Sequence, residues 1–508
     1  MKQYISKLTI ACLLAITCVI ACDKRLEVLD KNNPTIESYF KTAAELQNGV
    51  NAIYSSLRGA QLVGREWFFL HDMRGGETGS GGAQLEAPRA ELLRQNSPAP
   101  TNGVMTDVWR GSYIMINRAN LVLSKAPGVT DNVTMRDQLV GEAKFLRAWA
   151  YFELVSQWGD VPVYTEPIES ATDFKGKTPS ADIYALVISD LTDAVSKLPS
   201  TPSQPGRATK GSANALLGKV QMQKGDYAAA KAALLQVVSS GQYSLMPKYS
   251  DNFSGDIWNG SSKVTDGLEF NAESVFEVAF VDKGDNNFNW GYNGEGATNP
   301  VSTVRNQEYG IVWGNVIPSD NWLNEFEPND PRYKFTIYEP GDAILTKGGT
   351  VAGKVLTAAD MNVNPSIKNG VTMKRVFRKY SIYDWDDNGF HPGGVNQRLI
   401  RYSDVLLMLA ECEAEVGTPA QAATYINMVR ARPSVSMPPV VLTSKNAALA
   451  AVMHERAVEL GGEAIASIDI LRWRKKGYFP SIKADPKPGQ VDLFPIPFAE
   501  TSTNPALK

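Results

Sequence analysis

Apolar residues recur at helical spacing through both ends of the chain. The segment from Leu46 to Leu57 carries apolar side chains every three or four positions, which predicts an amphipathic helix. The strongest pattern covers 136–158, where an aliphatic stripe and an aromatic stripe predict a helix that is buried on two sides. Gly159 and Pro162 are expected to end this helix.

Two segments have the spacing of small and large residues that is typical of tetratricopeptide units. The first lies at 211–240 and contains LLGKVQMQKGDYAAAKAALLQVV, in which small residues allow two helices to approach and Gly225 makes the turn. The second covers 402–432. About three such units are needed to bury a continuous core. We therefore expect helical pairs at 104–158 and 447–476 to supply the others.

The middle of the chain, about 245–397, has a different amino-acid composition. It is rich in Gly, Asn, Asp, Pro and aromatic residues, and the pieces Ser274–Phe280 and Arg375–Tyr383 read as short strands. The predicted fold is mostly α-helical. A tetratricopeptide-like scaffold at about 36–244 and 398–480 supports this loop-rich insert.

Residues 36–508 are thus expected to form a single domain.

The N-terminus reads as an export signal. Residues 1–22 have two early lysines, an apolar run too short to span a bilayer, and the ending Val-Ile-Ala-Cys. This ending resembles the lipobox of a bacterial lipoprotein. We therefore predict a signal peptide at 1–21, a lipidated Cys22, and an extended tether at 22–35. Several acyl chains on Cys22 would hold the protein on a membrane, because one chain alone binds only marginally.

Composition excludes several other classes. The net charge is −3, with no long basic run, so nothing supports neutralisation of a nucleic-acid backbone. After Cys22 the only cysteine is Cys412, so the exported domain is expected to fold without an internal disulfide. No second apolar stretch approaches transmembrane length.

Three loop-like segments combine aromatic rings with hydrogen-bonding side chains, as a sugar-binding surface requires. They are WFFLHDMRGG at 67–76, FNWGYNGEG at 288–296, and VWGNVIPSDNW at 312–322. The alternative for each aromatic residue is a place in the core or in a protein interface. The candidate ligand-binding residues are Trp67, Phe69, Asp72, Arg74, Trp290, Tyr292, Trp313, Asn315 and Trp322. Trp109, Trp149, Trp158 and Trp473 are assigned to the core instead.

One segment matches part of a calcium loop. Asp384, Asp386 and Asn388 alternate as oxygen ligands would, and Gly389 follows at the turn position. The twelfth position is Val395, where a bidentate Glu is required, so a solvated acidic loop is favoured over a metal site. No cofactor is expected.

Motifs spread along the chain resemble the SusD/RagB family of bacteroidete outer-membrane lipoproteins. They are AKFLRAWAYFELVSQWGDVPV (143–163), NEFEPNDPRYKFTIY (324–338), RLIRYSDVLLMLAECEAEVG (398–417), INMVRAR (426–432), ERAVELGGEAIASIDILRWRKKG (455–477) and LFPIPFAETSTNPAL (493–507). One departure stands at Gly461–Ala464, which reads Gly-Gly-Glu-Ala where the family usually has glycine, histidine and arginine. We expect it to alter local packing only.

The resemblance implies a function. Such proteins face the cell exterior, bind a nutrient oligosaccharide without catalysis, and deliver it to a TonB-dependent transporter of the SusC type. A peptide-binding relative of the same family is the nearest alternative. A surface glycoside hydrolase is a more distant one: it needs a catalytic pair of carboxylates, and no family motif marks such a pair among the 54 acidic residues.

Overall fold

A computed structural model describes residues 39–255, 257–259, 262–265, 267–281, 302–311, 313–344, 354–380 and 393–508. The α-helices of these ranges are α1 Ala43–Leu57, α2 Glu66–Asp72, α3 Ala87–Arg94, α4 Gly103–Lys125, α5 Val133–Trp158, α6 Ser180–Lys197, α7 Lys210–Lys224, α8 Tyr227–Ser239, α9 Arg305–Tyr309, α10 Asp320–Leu323, α11 Arg332–Thr336, α12 Tyr402–Val416, α13 Pro419–Arg430, α14 Lys445–Leu460, α15 Ala466–Lys475 and α16 Phe498–Thr503. Cys22, the tether, Trp290, Tyr292 and the 384–388 loop lie outside the described residues.

The strands are short and form two-stranded antiparallel ladders. They are β1 Thr78–Ser80, β2 Ile257–Asn259, β3 Ser262–Thr265, β4 Ser274–Val278, β5 Val316–Pro318, β6 Ile337–Tyr338, β7 Ala343–Ile344, β8 Lys354–Val355, β9 Pro365–Lys368, β10 Val371–Lys374, β11 Val376–Phe377 and β12 Gln397–Arg401. The pairs are β1–β5, β2–β3, β4–β12, β6–β11, β7–β8 and β9–β10.

Successive helices pack side by side into the predicted scaffold. Helix α5 lies against α4 and α6, α7 lies against α6 and α8, and α12 contacts α8, α13 and α14. The mostly helical, tetratricopeptide-like fold predicted from the sequence is confirmed.

The α7–α8 pair shows why small residues are needed there. A Cβ added at Gly218 would stand 2.5 Å from Cγ of Leu234 on the facing helix, so only glycine allows this approach. Gly225 ends α7 with a φ of 98°, in the left-handed region that glycine adopts without strain. The turn predicted at Gly225 is confirmed.

Helix α5 is deeply buried from Gly141 onward. From Gly141 to Trp158 every side chain except that of Lys144 is buried, as the doubled apolar stripe predicted. Gly159 follows with a φ of 74° and ends the helix. The core assignment of Trp109, Trp149, Trp158 and Trp473 is confirmed, because each is less than one-tenth exposed.

The insert is joined to the scaffold. Strand β4, which was predicted within Ser274–Phe280, pairs with β12 at the start of the C-terminal helices. Phe276 on β4 also packs edge-on against Phe145 of α5, with 4.8 Å between ring centroids. The strand predicted at Arg375–Tyr383 was too long. Only Val376–Phe377 is a strand in the described part, and Tyr380 has a positive φ of 60°, which interrupts extended backbone.

A network of buried ion pairs ties the insert to the C-terminal helices. Arg401 contacts Glu273 at 2.5 Å and Glu463 at 2.7 Å. Lys379 donates to Glu463 at 2.8 Å. Glu463 therefore does more than alter local packing, because its carboxylate accepts hydrogen bonds from both Arg401 and Lys379, which lie in different segments of the chain.

Cys412 lies on α12 with a fully buried side chain, and it forms no disulfide with any residue that the structure describes. Burial raises the pKa of its thiol. In the part of the chain that the structure describes, no helix is long and apolar enough to cross a membrane.

Candidate ligand-binding surface

The first candidate segment, 67–76, lies inside the protein. Trp67, Phe69, Asp72 and Arg74 are each less than 5 % exposed. Helix α2 buries all of its side chains because it packs on α4 and α15. These four residues therefore cannot stack on a ligand in this conformation.

Each polar residue of this segment has a protein partner. Asp72 accepts from Arg305 at 2.9 Å and from Tyr309 at 2.8 Å. Burial raises the pKa of Asp72, although Arg305 and Tyr309 oppose that effect. The guanidinium of Arg74 donates to Gln157 at 2.7 Å and lies 4.0 Å from the ring centroid of Phe494. The segment thus supports the strand that follows it.

That strand, β1, brings the first segment next to the third. It pairs with β5, so that Ser80 stands opposite Val316, and the amide of Gly81 donates to the carbonyl of Asn315 at 2.9 Å. A Cβ at Gly81 would meet the Gly314 carbonyl oxygen at 1.6 Å. Only glycine permits this contact between the two loops.

A third stretch completes the surface. The amide of Asn364 donates to the Gly81 carbonyl at 2.6 Å. The side-chain amide of Gln84 donates to the carbonyls of Gly314 at 3.2 Å and Asn362 at 3.1 Å. We call residues 80–84, 313–315 and 361–364 the loop cluster.

The loop cluster presents one aromatic ring among amides. Trp313 is half-buried, Gln84 is half-buried, and Asn362 and Asn364 are exposed. Asn315 is buried and donates to Glu308, which also accepts from Arg65 at 2.6 Å. An indole face beside amide donors and acceptors suits a sugar ring, whose C–H face stacks and whose hydroxyls form hydrogen bonds.

Charges under the loop cluster hold it in place. Burial alone would lower the pKa of Arg65, but Glu308 and Glu66 outweigh this effect and raise it. Arg65 therefore stays charged and links Glu308 to the rest of the buried pairs. Asn315, which was predicted to contact ligand, instead joins the loop to this network.

Trp322 lies away from the loop cluster. It is 3 % exposed, stacks on Phe377 with 5.5 Å between ring centroids, and donates its indole N–H to the Ala457 carbonyl at 2.8 Å. One edge of the ring lines a separate cavity. Of the nine candidate residues, Trp313 is the described one that retains partial exposure beside polar loop residues.

Sequence reasoning missed Gln84, Asn362 and Asn364. The signal available was the glycine-rich run Gly79–Gly82 and the asparagine-rich run 362–364, which both mark loops. Nothing in the sequence shows that these loops meet. Within the described residues no group of three or more His, Cys, Asp or Glu side chains is placed to hold a metal ion.

Comparisons with known proteins agree with this architecture. A model described as SusD family matches residues 272–508, and one described as "Starch-binding associating with outer membrane" matches residues 77–222. SusD-like protein P25 of Formosa agariphila is 26 % identical over 532 aligned positions, which cover 96 % of this chain and 95 % of that protein. SusD-like protein P2 of the same organism is 25 % identical and covers 86 % of this chain and 85 % of that protein.

Solved structures show the same fold. A SusD superfamily protein of Bacteroides vulgatus superposes with a TM-score of 0.74 at 22 % identity, covering 92 % of this chain and 99 % of that one. A laminarin-binding SusD-like protein superposes with a TM-score of 0.70 at 25 % identity, covering 91 % and 98 %. Surface glycan-binding protein A of Bacteroides uniformis gives 0.68 at 20 % identity, covering 92 % and 99 %.

Proposed function

The chain belongs to the SusD family, and on that premise we propose that it binds an oligosaccharide without catalysis at the cell surface and delivers it to a TonB-dependent transporter of the SusC type. The family is one of carbohydrate-binding proteins that associate with the outer membrane. The observation that carries the proposal is the half-buried Trp313 among Gln84, Asn362 and Asn364.

The similar proteins support the ligand class. One of similar fold is named for laminarin binding and another for surface glycan binding. The loop cluster would bind the glycan here, and Trp290 and Tyr292, which lie outside the described residues, stay candidate ligand-binding residues. Stacking on one or two rings gives weak binding, which suits a protein that must release its ligand to a partner.

The proposal also covers the organisation of the chain. Residues 36–508 form one domain, in which the insert at about 245–397 rests on the helical scaffold. Support comes from the β4–β12 pairing and from the ion pairs of Arg401 with Glu273 and Glu463. Cys22 would carry the lipid anchor, and residues 22–35 would lead from it to the domain.

One experiment separates the binding function from its alternatives. The mature protein, purified in detergent, is applied to an array of laminarin, starch, xylan and mannan beside an array of peptides. Retention on a glycan with no new reducing ends supports the proposal. New reducing ends would establish a hydrolase, and retention on peptides alone would establish a peptide-binding protein.

A further inference from the structure

A cavity of about 360 Å³ lies apart from the loop cluster. It is enclosed by the Gly75–Glu77 turn, helix α10, helices α14 and α15, and the 479–486 segment. Its walls are mainly apolar and include Trp322, Met453, Leu460, Ile470, Trp473 and Phe479. The space accommodates a ligand of one or two rings.

The charged side chains at the edge of the cavity are neutralised in pairs. Arg456 contacts Asp469 at 2.6 Å, Lys483 contacts Glu325 at 2.5 Å, and Asp485 contacts Arg474 at 2.8 Å. None of these groups needs a ligand to balance its charge.

Glu77 differs from the other charged groups that line the cavity. The residue is only 6 % exposed. Its Oε2 accepts the amide of Gly462 at 2.9 Å, and among the described residues no cation lies within ion-pair distance of the carboxyl. A mostly buried carboxyl without an ion pair is costly to ionise, and an ammonium group in the cavity would lower that cost.

Two neighbouring carboxyls add to the effect of burial on Glu77. Its pKa is raised to about 8, chiefly by burial and also by Asp72 and Asp469, against the effects of Gly462 and Lys379. Lys379 itself is held elsewhere, by the carbonyls of Glu459 and Gly461 at 3.0 and 2.8 Å. A ligand cation beside Glu77 would reduce the repulsion of Glu77 by Asp72 and Asp469, which Lys379 offsets only in part.

We propose that this cavity binds a small organic cation, in which a primary amine contacts Glu77 and an attached flat ring packs among Trp322, Trp473 and Phe479. The ring replaces water at the apolar walls, and the ammonium also benefits from nearby aromatic faces. This site shares no residue with the loop cluster, so it stands independently of glycan binding.

The test uses phenethylamine and 2-phenylethanol, which have the same ring and chain but differ in the amine. Calorimetric titration of the purified mature protein at pH 9, above the pKa of Glu77, should show saturable binding of phenethylamine, at least tenfold tighter than binding of 2-phenylethanol. Equal affinity for the two, or no saturable binding of phenethylamine, would overturn the proposal.

Variants locate the site. Glu77→Gln keeps an oxygen for the Gly462 amide and should abolish the preference for the amine. Glu325→Gln removes a paired carboxyl from the same cavity and should keep the preference. Ala484 is exposed at the edge, so Ala484→Trp should fill the opening and reduce phenethylamine affinity at least tenfold while the protein remains folded. If Glu77→Gln failed to fold, Ala484→Trp would decide, and unchanged affinity in that variant would contradict the site.

Discussion

The guanidinium of Arg332 lies 2.6 Å from the carboxylate of Glu455, although 123 residues separate the two in the chain. Arg332 also contacts Asp330 at 2.7 Å and Glu459 at 3.2 Å, and all of these side chains are buried. The Asp-Pro-Arg segment that marks the family in the sequence is thus a structural clamp between the insert and α14.

Removal of the clamp should destabilise the protein strongly. Arg332→Ala leaves three buried carboxylates without this partner, a change that typically costs about 3–5 kcal/mol of unfolding free energy. Lys334→Ala removes a half-exposed ion pair only two residues away and should cost less than about 1 kcal/mol. Urea unfolding of both variants measures the difference, and equal losses would contradict the clamp.

The close packing of α7 against α8 at Gly218 should not tolerate an added methyl group without a loss of stability. Gly218→Ala places a Cβ against Leu234 and should cost roughly 1–3 kcal/mol, because α7 and α8 must move apart. Gly128→Ala is the matched control, since a Cβ there meets nothing within 4 Å. Thermal unfolding should show a clear loss for the first variant and little change for the second.

Trp313 should control glycan retention. Trp313→Ala removes the aromatic face of the loop cluster and should weaken binding at least tenfold in affinity electrophoresis, because stacking and burial together contribute about 1.5 kcal/mol or more. Phe498→Ala, which truncates an exposed ring on α16, should bind as the unchanged protein does. Full retention by the Trp313 variant would move the site away from the loop cluster. Trp67 is unsuitable for this test because its removal would open the core.

Stability should depend on pH through Glu77. The pKa of this carboxyl is raised from 4.5 to about 8, so between these values the folded protein holds a proton that the unfolded chain releases. Its contribution to stability is therefore lost as the pH rises through this window.

Glu77→Gln has no proton to lose. The unchanged protein should therefore lose stability relative to this variant as the pH rises. The difference between their free energies of unfolding should change by up to roughly 4 kcal/mol, in favour of the variant, between pH 4.5 and pH 8. Urea unfolding at several pH values measures this. Asp137→Asn, at a carboxyl that is 45 % exposed, is the control for removal of one carboxyl. Parallel stability curves for the Glu77 variant would contradict the raised pKa.

Lipidation at Cys22 should attach the protein to the membrane without affecting its fold. Cys22→Ser removes the acylated thiol, so the protein should leave the membrane fraction while its unfolding midpoint and its glycan affinity stay unchanged. Cell fractionation and glycan titration test the two halves of this expectation. Continued membrane retention of the variant would show that another element anchors it.

The helical scaffold was predictable because its information is local. The apolar spacing of α5, the glycine after it, and the small residues of α7 and α8 each act within a few turns of one helix pair. A pattern of this kind fixes which face is buried before any partner is known.

The binding surface was less predictable because sequence composition does not distinguish exposed from buried aromatics. Trp67 and Trp313 both stand beside polar residues in the chain, yet one is in the core and the other is half-buried at the surface. The difference depends on β1 pairing with β5 across more than 200 residues, which no local pattern encodes. The same holds for Glu77, whose raised pKa arises from groups on other elements.

Cys412 has a practical consequence. In a Cys22→Ser protein that lacks residues 1–21, it is the only thiol, and its burial and raised pKa protect it from alkylating reagents. A single cysteine engineered into the loop cluster would then react alone with a maleimide dye. The Cys22→Ser protein therefore provides a background for spectroscopic observation of ligand capture, without any change to its core.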